Sequence, residues 1–379
     1  MTDKVYRVAA IGCGRKGTEH ARAYNLNRRS VVVAGADPDP ENLNIFTERF
    51  GVPGYADYNE MLRREKVDIV LAVLPVIANR EVVLDTVRHD VPAICTEKPL
   101  AARLSDADEM VAVCRERGIK FGCGDLERNH HYYWEAKDRI AAGEVGDVRS
   151  IAFYQGSGTQ LSGGGCQIFG LARLFADDAE VDWITGWVAT DPWSEYDQGG
   201  AGYIRFVNGV EAFLHRRDTG RYGFEVLFDR GRFTSDNMTV RMYTHDQDES
   251  RPTLINSTEV SSPFSDDEGV HGGFGQIDEE GWENPGNRQR ATVQSMIDAL
   301  DHDIEPRGNG DNGLKVLEMA IAIRESHRRG HAPVKLPLED RSMRLIPHPS
   351  RMYNKKEVYG REAYAKEIAR FTRGQKGAT

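Results

Sequence analysis

Two groups of residues in this 379-residue chain have the types and spacing to do chemistry. The first is Gly12-Cys13-Gly14-Arg15-Lys16-Gly17, which follows the apolar residues Val8 to Ile11 and leads into a helix-compatible segment, Thr18 to Tyr24. A strand, a Gly-x-Gly-x-x-Gly turn and a helix in that order suit dinucleotide binding. Gly12 permits the tight turn, Gly14 lets the backbone approach a pyrophosphate, Gly17 lets the helix lie close to the sheet, and the N–H groups at the helix head bind phosphate. A second apolar run, Val31 to Ala36, ends in Asp37, about 20 residues beyond the glycines, where a carboxylate can accept from an adenosine ribose and repel a 2′-phosphate. NAD is therefore expected, with NADP kept open because Arg15 and Lys16 attract phosphate. The same glycines also fit a purely structural strand-to-helix turn.

The second group is Glu97-Lys98-Pro99, which closes the apolar run Ala93 to Thr96. A strand-end amine can take a proton from a substrate hydroxyl. A free lysine titrates near about 10.4, so this work near neutrality asks for desolvation or a neighbouring positive charge, and Glu97 opposes it. The alternative is a lysine ion pair at a domain seam. Pro99 would fix the strand end, with a cis bond as one means. No Gly-x-Ser-x-Gly elbow and no compact His/Cys/Asp cluster is present, so neither a serine nucleophile nor a metal site is expected.

These residues need a scaffold, and the hydrophobic pattern supplies one. Val67 to Leu74, Ala93 to Thr96 and Ile119 to Cys123 read as further strands, alternating with helices over residues 41–50, Asp57 to Arg64, Asn79 to His89 and Ser105 to Arg117. Nearly continuous apolar strands between helices predict a parallel sheet covered on both faces. After a helix at Tyr132 to Ala142 the pattern changes. Val148 to Tyr154, Val181 to Ala189, Gly202 to Phe206, Val210 to His215, Glu225 to Phe228 and Arg232 to Ser235 predict a mixed or antiparallel sheet, with Arg230-Gly231 as a turn. Asp246 to Asn287 is polar and glycine-rich and reads as a loop excursion. Helices follow at Gln289 to Leu300 and at Leu314 to Arg328, where Met319 and Ile323 belong to the core. The expected partition is a Rossmann domain over 1–124, a second α/β domain over 125–337, and an extension over 338–379 with a short helix from Tyr364 to Phe371.

Composition narrows the partners. A net charge of −10 argues against a general nucleic-acid surface. No apolar run approaches a membrane span and no secretory signal opens the chain, so a cytoplasmic protein without a membrane partner is expected. The five cysteines, Cys13, Cys95, Cys114, Cys123 and Cys166, are odd in number and widely spaced, which suits buried reduced thiols. Trp183, Trp187, Trp193, Tyr196 and Tyr203 offer stacking surface for a sugar, although most are expected in the core. His215 is expected either in the sheet core or on a cleft face.

Taken together, Gly12 to Gly17, Asp37-Pro38, Glu97-Lys98-Pro99, Gly143-Glu144-Val145-Gly146-Asp147 and Arg205-Phe206-Val207-Asn208-Gly209 resemble the glucose–fructose oxidoreductase/inositol dehydrogenase/MocA family. The resemblance spans about residues 5–337 and implies a nucleotide-binding domain followed by an α/β domain on an open sheet that often supports oligomer contacts. It further implies hydroxyl-to-carbonyl chemistry on sugars, cyclitols or related compounds, and a homodimer or homotetramer. On it, Lys98 and Pro99 match the active-site Lys-Pro pair and Glu97 the adjoining carboxylate near the nicotinamide. Leu74 and Pro75 match a cofactor-side loop, and Asn79 stands where many members have His. The family's second-domain Asp-x-Gly-x-His-x-x-Asp falls on Gly163, Gly165, Gln167 and Gly170, so the glycine is kept while the His and both carboxylates are missing. Gln167 can orient a substrate but cannot act as an ordinary base. Arg128, Asn129, His130, His131 and Tyr132 fall on the substrate side, and His130 or His131 could replace the missing relay.

The expected activity is thus that of an NAD-dependent dehydrogenase with Lys98 as the base. Two alternatives stand beside it: redox-assisted rearrangement or glycosidic cleavage with tightly held NAD, and a ligand-binding or assembly protein without turnover.

Overall fold

A computed structural model describes residues 4–124, 127–155, 160–216, 223–236, 240–245, 254–258, 282 and 287–366. Compactness divides the chain into two units, residues 1–126, 273–314 and 347–379 in the first, 127–272 and 315–346 in the second. This partition is discontinuous, unlike the simple one expected from sequence, because the chain returns to the first unit twice.

The first unit is a Rossmann fold. Its six strands are β1 (Tyr6–Ile11), β2 (Ser30–Ala36), β3 (Gly54–Tyr55), β4 (Ile69–Ala72), β5 (Ala93–Thr96) and β6 (Lys120–Cys123), all parallel, in the order β3-β2-β1-β4-β5-β6. The helices α1 (Arg15–Leu26), α2 (Pro40–Phe50), α3 (Tyr58–Arg64), α4 (Val76–Arg88) and α5 (Leu104–Glu116) connect them. Side chains alternate along a strand, so β1 serves two cores. Tyr6, Val8 and Ala10 pack with Tyr24, Met296 and Ile297, while Ala9 and Ile11 pack with Ala34, Met61 and Val82. Local chemistry sets the helix ends. Asp39 accepts from the N–H groups of Glu41 and Asn42, Pro40 opens α2, and Gly51 closes it at φ 66°.

The second unit begins with α6 (His131–Ala141) and is built on a nine-stranded mixed sheet. Its strands are β7 (Val148–Gln155), β8 (Val181–Val188), β9 (Gly200–Phe206), β10 (Glu211–Arg216), β11 (Gly223–Phe228), β12 (Gly231–Ser235), β13 (Val240–His245), β14 (Leu254–Thr258) and β15 (Val334–Lys335). They lie in the order β14-β13-β12-β11-β7-β10-β9-β8-β15, and of the paired strands only β7 and β10 run parallel. Helix α7 (Gly165–Phe175) separates β7 from β8. Two further helices lie between β14 and β15 in sequence. The first is α8 (Arg288–His302), capped by Asn287 and counted with the first unit. The second is α9 (Gly310–Arg328), within which the unit boundary falls between Leu314 and Lys315. Met319 and Ile323 are fully buried, as expected, and Ile323 packs against Gly186, Gly200 and Gly202, where any Cβ would collide with its side chain or with neighbouring backbone.

Several sequence expectations change. A strand, β14, lies inside the stretch read as a loop, and β13 precedes it. Val240 and Met242 of β13 are buried and Arg241 is exposed, the alternation of a half-buried strand, whereas β14 is short and polar and becomes a strand by pairing with β13. The rest of 246–287 falls outside the described residues apart from Trp282, which is buried in the first unit's core, and Asn287, which caps α8. The hairpin turn is Asp229-Arg230, since Gly231 already pairs with Phe228. Helix α9 starts four residues early because Asn309 accepts from the Asn312 N–H. Of the five aromatic residues expected mostly in the core, none is fully buried: Trp183 and Tyr203 are half-buried, and Trp187, Trp193 and Tyr196 are exposed. His215 is exposed and stacks on Tyr154, on the sheet face opposite the buried Ala212 and Leu214. None of the five cysteines is in a disulfide, and four are buried. Helical residues 361–366 fall at the start of the predicted terminal helix, and Phe371 lies outside the described residues.

Candidate dinucleotide site and catalytic residues

In the first unit the strand order reverses between β1 and β4, and the loops after these strands flank the crevice where an open α/β sheet binds ligands. The glycine loop follows β1, and Leu74 and Pro75 follow β4. Gly12 has φ +92°, and a Cβ there would lie 2.3 Å from the Val73 carbonyl oxygen. A Cβ on Gly17 would lie 1.8 Å from the Gly12 carbonyl oxygen. Gly17 therefore lets the first turn of α1 rest on the loop itself, more than on the sheet. Gly14 differs from both. It has φ −67° and ψ −175°, and a Cβ would meet nothing nearer than 3.7 Å. Neither conformation nor packing asks for glycine there, so the space left beside the loop fits a closely approaching ligand such as a pyrophosphate.

The other residues expected around a dinucleotide occupy this same edge. Asp37, 7% exposed, accepts from the Cys13 N–H at 2.8 Å through Oδ2 and from the Asp39 N–H at 2.8 Å through Oδ1, with the Asn42 amide at 3.4 Å. Burial pushes its carboxyl up, against these hydrogen bonds. Asp37 thus holds the glycine loop to the end of β2, a duty its sequence position did not announce. Cys13 is buried. The side chains of Arg15 and Lys16 both pair with Glu19, at 2.7 and 2.5 Å. Asn79 is 1% exposed, its amide donates to the Leu100 carbonyl at 3.0 Å, and its Oδ1 is buried without a hydrogen-bond partner among the described residues.

Glu97, Lys98 and Pro99 follow β5, with a cis bond between Lys98 and Pro99. Glu97 accepts from the Lys98 N–H at 3.0 Å through one oxygen and from the His20 ring at 2.7 Å through the other. Burial alone would push the Glu97 carboxyl up, but the His20 hydrogen bond and charge, with Lys98 and Lys16 nearby, bring it down to about 2. Gly124 packs against this corner, since a Cβ would lie 3.1 Å from the Lys98 nitrogen. The Lys98 side chain is half-buried, and its carbonyl accepts from Arg351 at 3.4 Å. His20, Arg351, Lys356 and Tyr364 were not foreseen. Arg351, Lys356 and Tyr364 reach this edge from far along the chain, whereas His20 stands on α1 three residues past Gly17.

The second unit holds the other candidates. Gln167, 8% exposed on α7, accepts the Glu127 N–H at 2.9 Å through its side-chain oxygen. His130 is 2% exposed, caps α6 by accepting the Tyr132 N–H at 3.3 Å, and stacks on Tyr133 at 4.5 Å. His131 is exposed in the first turn of α6. Arg128 is buried, donates to the Gly170 carbonyl and forms a two-pronged pair with Asp178. Asp197 organises the glycine-rich turn ahead of α7, accepting from the N–H groups of Leu161, Ser162 and Gly199 and from the Ser162 hydroxyl.

Residues 6–140 match the model of the GFO_IDH_MocA oxidoreductase family, NAD-binding Rossmann fold. Over 145 residues the chain is 32% identical to 2,7-anhydro-N-acetylneuraminate hydratase of Mediterraneibacter gnavus, a match that covers 38% of each chain. It is 24% identical over 257 residues to myo-inositol 2-dehydrogenase of Thermotoga maritima, covering 61% of this chain and 75% of that one. The WlbA dehydrogenase of Bordetella pertussis, solved with NADH and UDP-GlcNAcA, shares the fold at a TM-score of 0.69 and 19% identity, over 89% of this chain and all of that one.

Two outcomes test the local analysis. Gly17→Ala is expected to destabilise the protein by about 3 kcal/mol, since backbone must move to admit the methyl group; chemical denaturation reads this. Glu97→Gln is expected to destabilise at pH 7 by an amount that shrinks as the pH falls. Because the folded carboxyl is depressed, its contribution is present above about 4.5 and is lost as pH falls toward about 2. Denaturation of both proteins between pH 7 and pH 3 measures the narrowing.

Proposed function

We propose that this protein is an NAD-linked oxidoreductase that interconverts a hydroxyl and a carbonyl group on a sugar, cyclitol or related small molecule. Gly14 is the observation that carries the reading: a glycine that neither its dihedral angles nor its neighbours require, at the head of a helix with no side-chain cap in its own loop. The match of residues 6–140 to an NAD-binding family model supports the cofactor. The likeness to a myo-inositol dehydrogenase and to a dehydrogenase holding a nucleotide sugar supports a polyhydroxylated substrate.

The glycine loop and the head of α1 would hold the pyrophosphate, Asp37 the adenosine ribose, and Leu74 and Pro75 the side nearer the nicotinamide. A bound nicotinamide supplies the hydride acceptor or donor. Lys98 Nζ takes the proton from the substrate hydroxyl during oxidation and returns it during reduction. Glu97 fixes the backbone that carries Lys98, with His20 holding the carboxylate in place. A homo-oligomer belongs to the same reading, supported by the part-exposed row Trp183, Tyr203, Phe213, His215 and Tyr154 across one sheet face.

One observation favours a second reading, redox-assisted rearrangement or bond cleavage with retained NAD. The family's histidine position holds Gln167, whose oxygen is engaged by the Glu127 N–H, and one relative bears the name of a hydratase. Turnover without added cofactor, by protein purified with stoichiometric NAD, would select it.

Calorimetry is expected to give tighter binding of NAD than of NADP, and tighter NADP would overturn the preference. Gly14→Ala is expected to keep the wild-type melting temperature while weakening NADH binding by more than about tenfold, because its methyl group enters space used by the pyrophosphate. Lys98→Ala is expected to lower kcat by about 100-fold or more with NADH affinity little changed, as single-turnover hydride transfer would record.

A further inference from the structure

The chain after Pro347 returns to the first unit and touches the proposed dinucleotide edge at three places. Arg351 donates to the carbonyl of Lys98 at 3.4 Å, beside the cis Lys98–Pro99 bond. Lys356 donates to Asp39 at 3.0 Å and to Glu41 at 2.9 Å, just beyond the end of β2, and its side chain is only 9% exposed. Tyr364, 6% exposed, presents its hydroxyl to the glycine loop. It accepts the Arg15 N–H at 3.3 Å and lies 3.7 Å from where a Cβ on Gly14 would be. The Lys356 ammonium lies 5.9 Å from the Tyr364 ring centroid, linking the last two contacts.

The Arg15 N–H is the first donor of α1, and a phosphate bound at a helix head takes donors of this kind. One N–H makes one well-aligned hydrogen bond, so the tyrosine oxygen and a phosphate oxygen cannot both hold it. We propose that residues 347–366 form a strap along the edge of the dinucleotide site, in which the Tyr364 hydroxyl is the group a pyrophosphate displaces from the head of α1. The ion pairs of Lys356 anchor the strap at the ribose end and set how readily Tyr364 leaves. The strap thereby governs the rate at which a dinucleotide enters. This inference rests on the dinucleotide reading above.

Stopped-flow binding of NADH to the full-length protein tests it, with wild type, Tyr364→Phe and Lys356→Ala compared. Tyr364→Phe keeps the buried ring and removes only the competing oxygen. Loss of one hydrogen bond from the closed strap is expected to raise the association rate constant about threefold to tenfold, with dissociation little changed. Lys356→Ala is expected to raise it as well, through an independent contact. In wild type, hydrogen exchange of residues 355–366 is expected to speed up when NADH is added. An unchanged or slower association for both variants, or protection of 355–366 by NADH, overturns the strap. Absence of saturable NADH and NADPH binding in wild type and both variants, all folded by circular dichroism, overturns the dinucleotide reading and the strap with it.

Discussion

The first turn of α1 lies against the Gly12 carbonyl with no room for even a methyl group on Gly17, and much of the first unit depends on that backbone contact. It fixes the direction of α1, and through Tyr24 and Ala21 the core on one side of the sheet. It also aims the helix's first N–H groups across the crevice. Asp37 reinforces the arrangement from the neighbouring strand by accepting the Cys13 N–H, so the loop is held at both ends by groups that cannot shift without disturbing the sheet. Such a loop is organised before any ligand arrives, which lowers the ordering cost of binding.

A second organised corner lies along the same sheet edge. Glu97 is a half-buried charge, costly unless its oxygens are satisfied, and the Lys98 N–H and the His20 ring satisfy them. Since His20 stands on α1, the helix that heads the glycine loop also steadies the strand end that carries Lys98. One short helix thus serves both the glycine loop and the lysine end of the edge.

Much of this was legible in the sequence. Unbroken apolar runs between helical segments gave the parallel sheet, and the glycine spacing marked the loop, because both follow from local periodicity and backbone sterics. The His20–Glu97 pair was not legible, because its partners are 77 residues apart and nothing local marks them. Tyr364 was equally silent, being an ordinary tyrosine until the chain's return places its hydroxyl. The exposed Trp187, Trp193 and Tyr196 were misjudged for a related reason: hydrophobicity favours burial on average, but which sheet face a side chain takes depends on register and on what covers that face. Strand β14 has no local signal, because pairing with β13, more than composition, makes it a strand.

Cys13 sits in the middle of the glycine loop, yet its thiol is turned inward. Its Sγ lies 2.9 Å from where a Cβ on Gly35 would be, and burial together with the Asp37 charge pushes its ionisation far above the usual thiol range. The thiolate is the form that reacts with alkylating agents and peroxide. A cysteine within the glycine loop is therefore chemically quiet, and electrophiles that label surface thiols would pass it by.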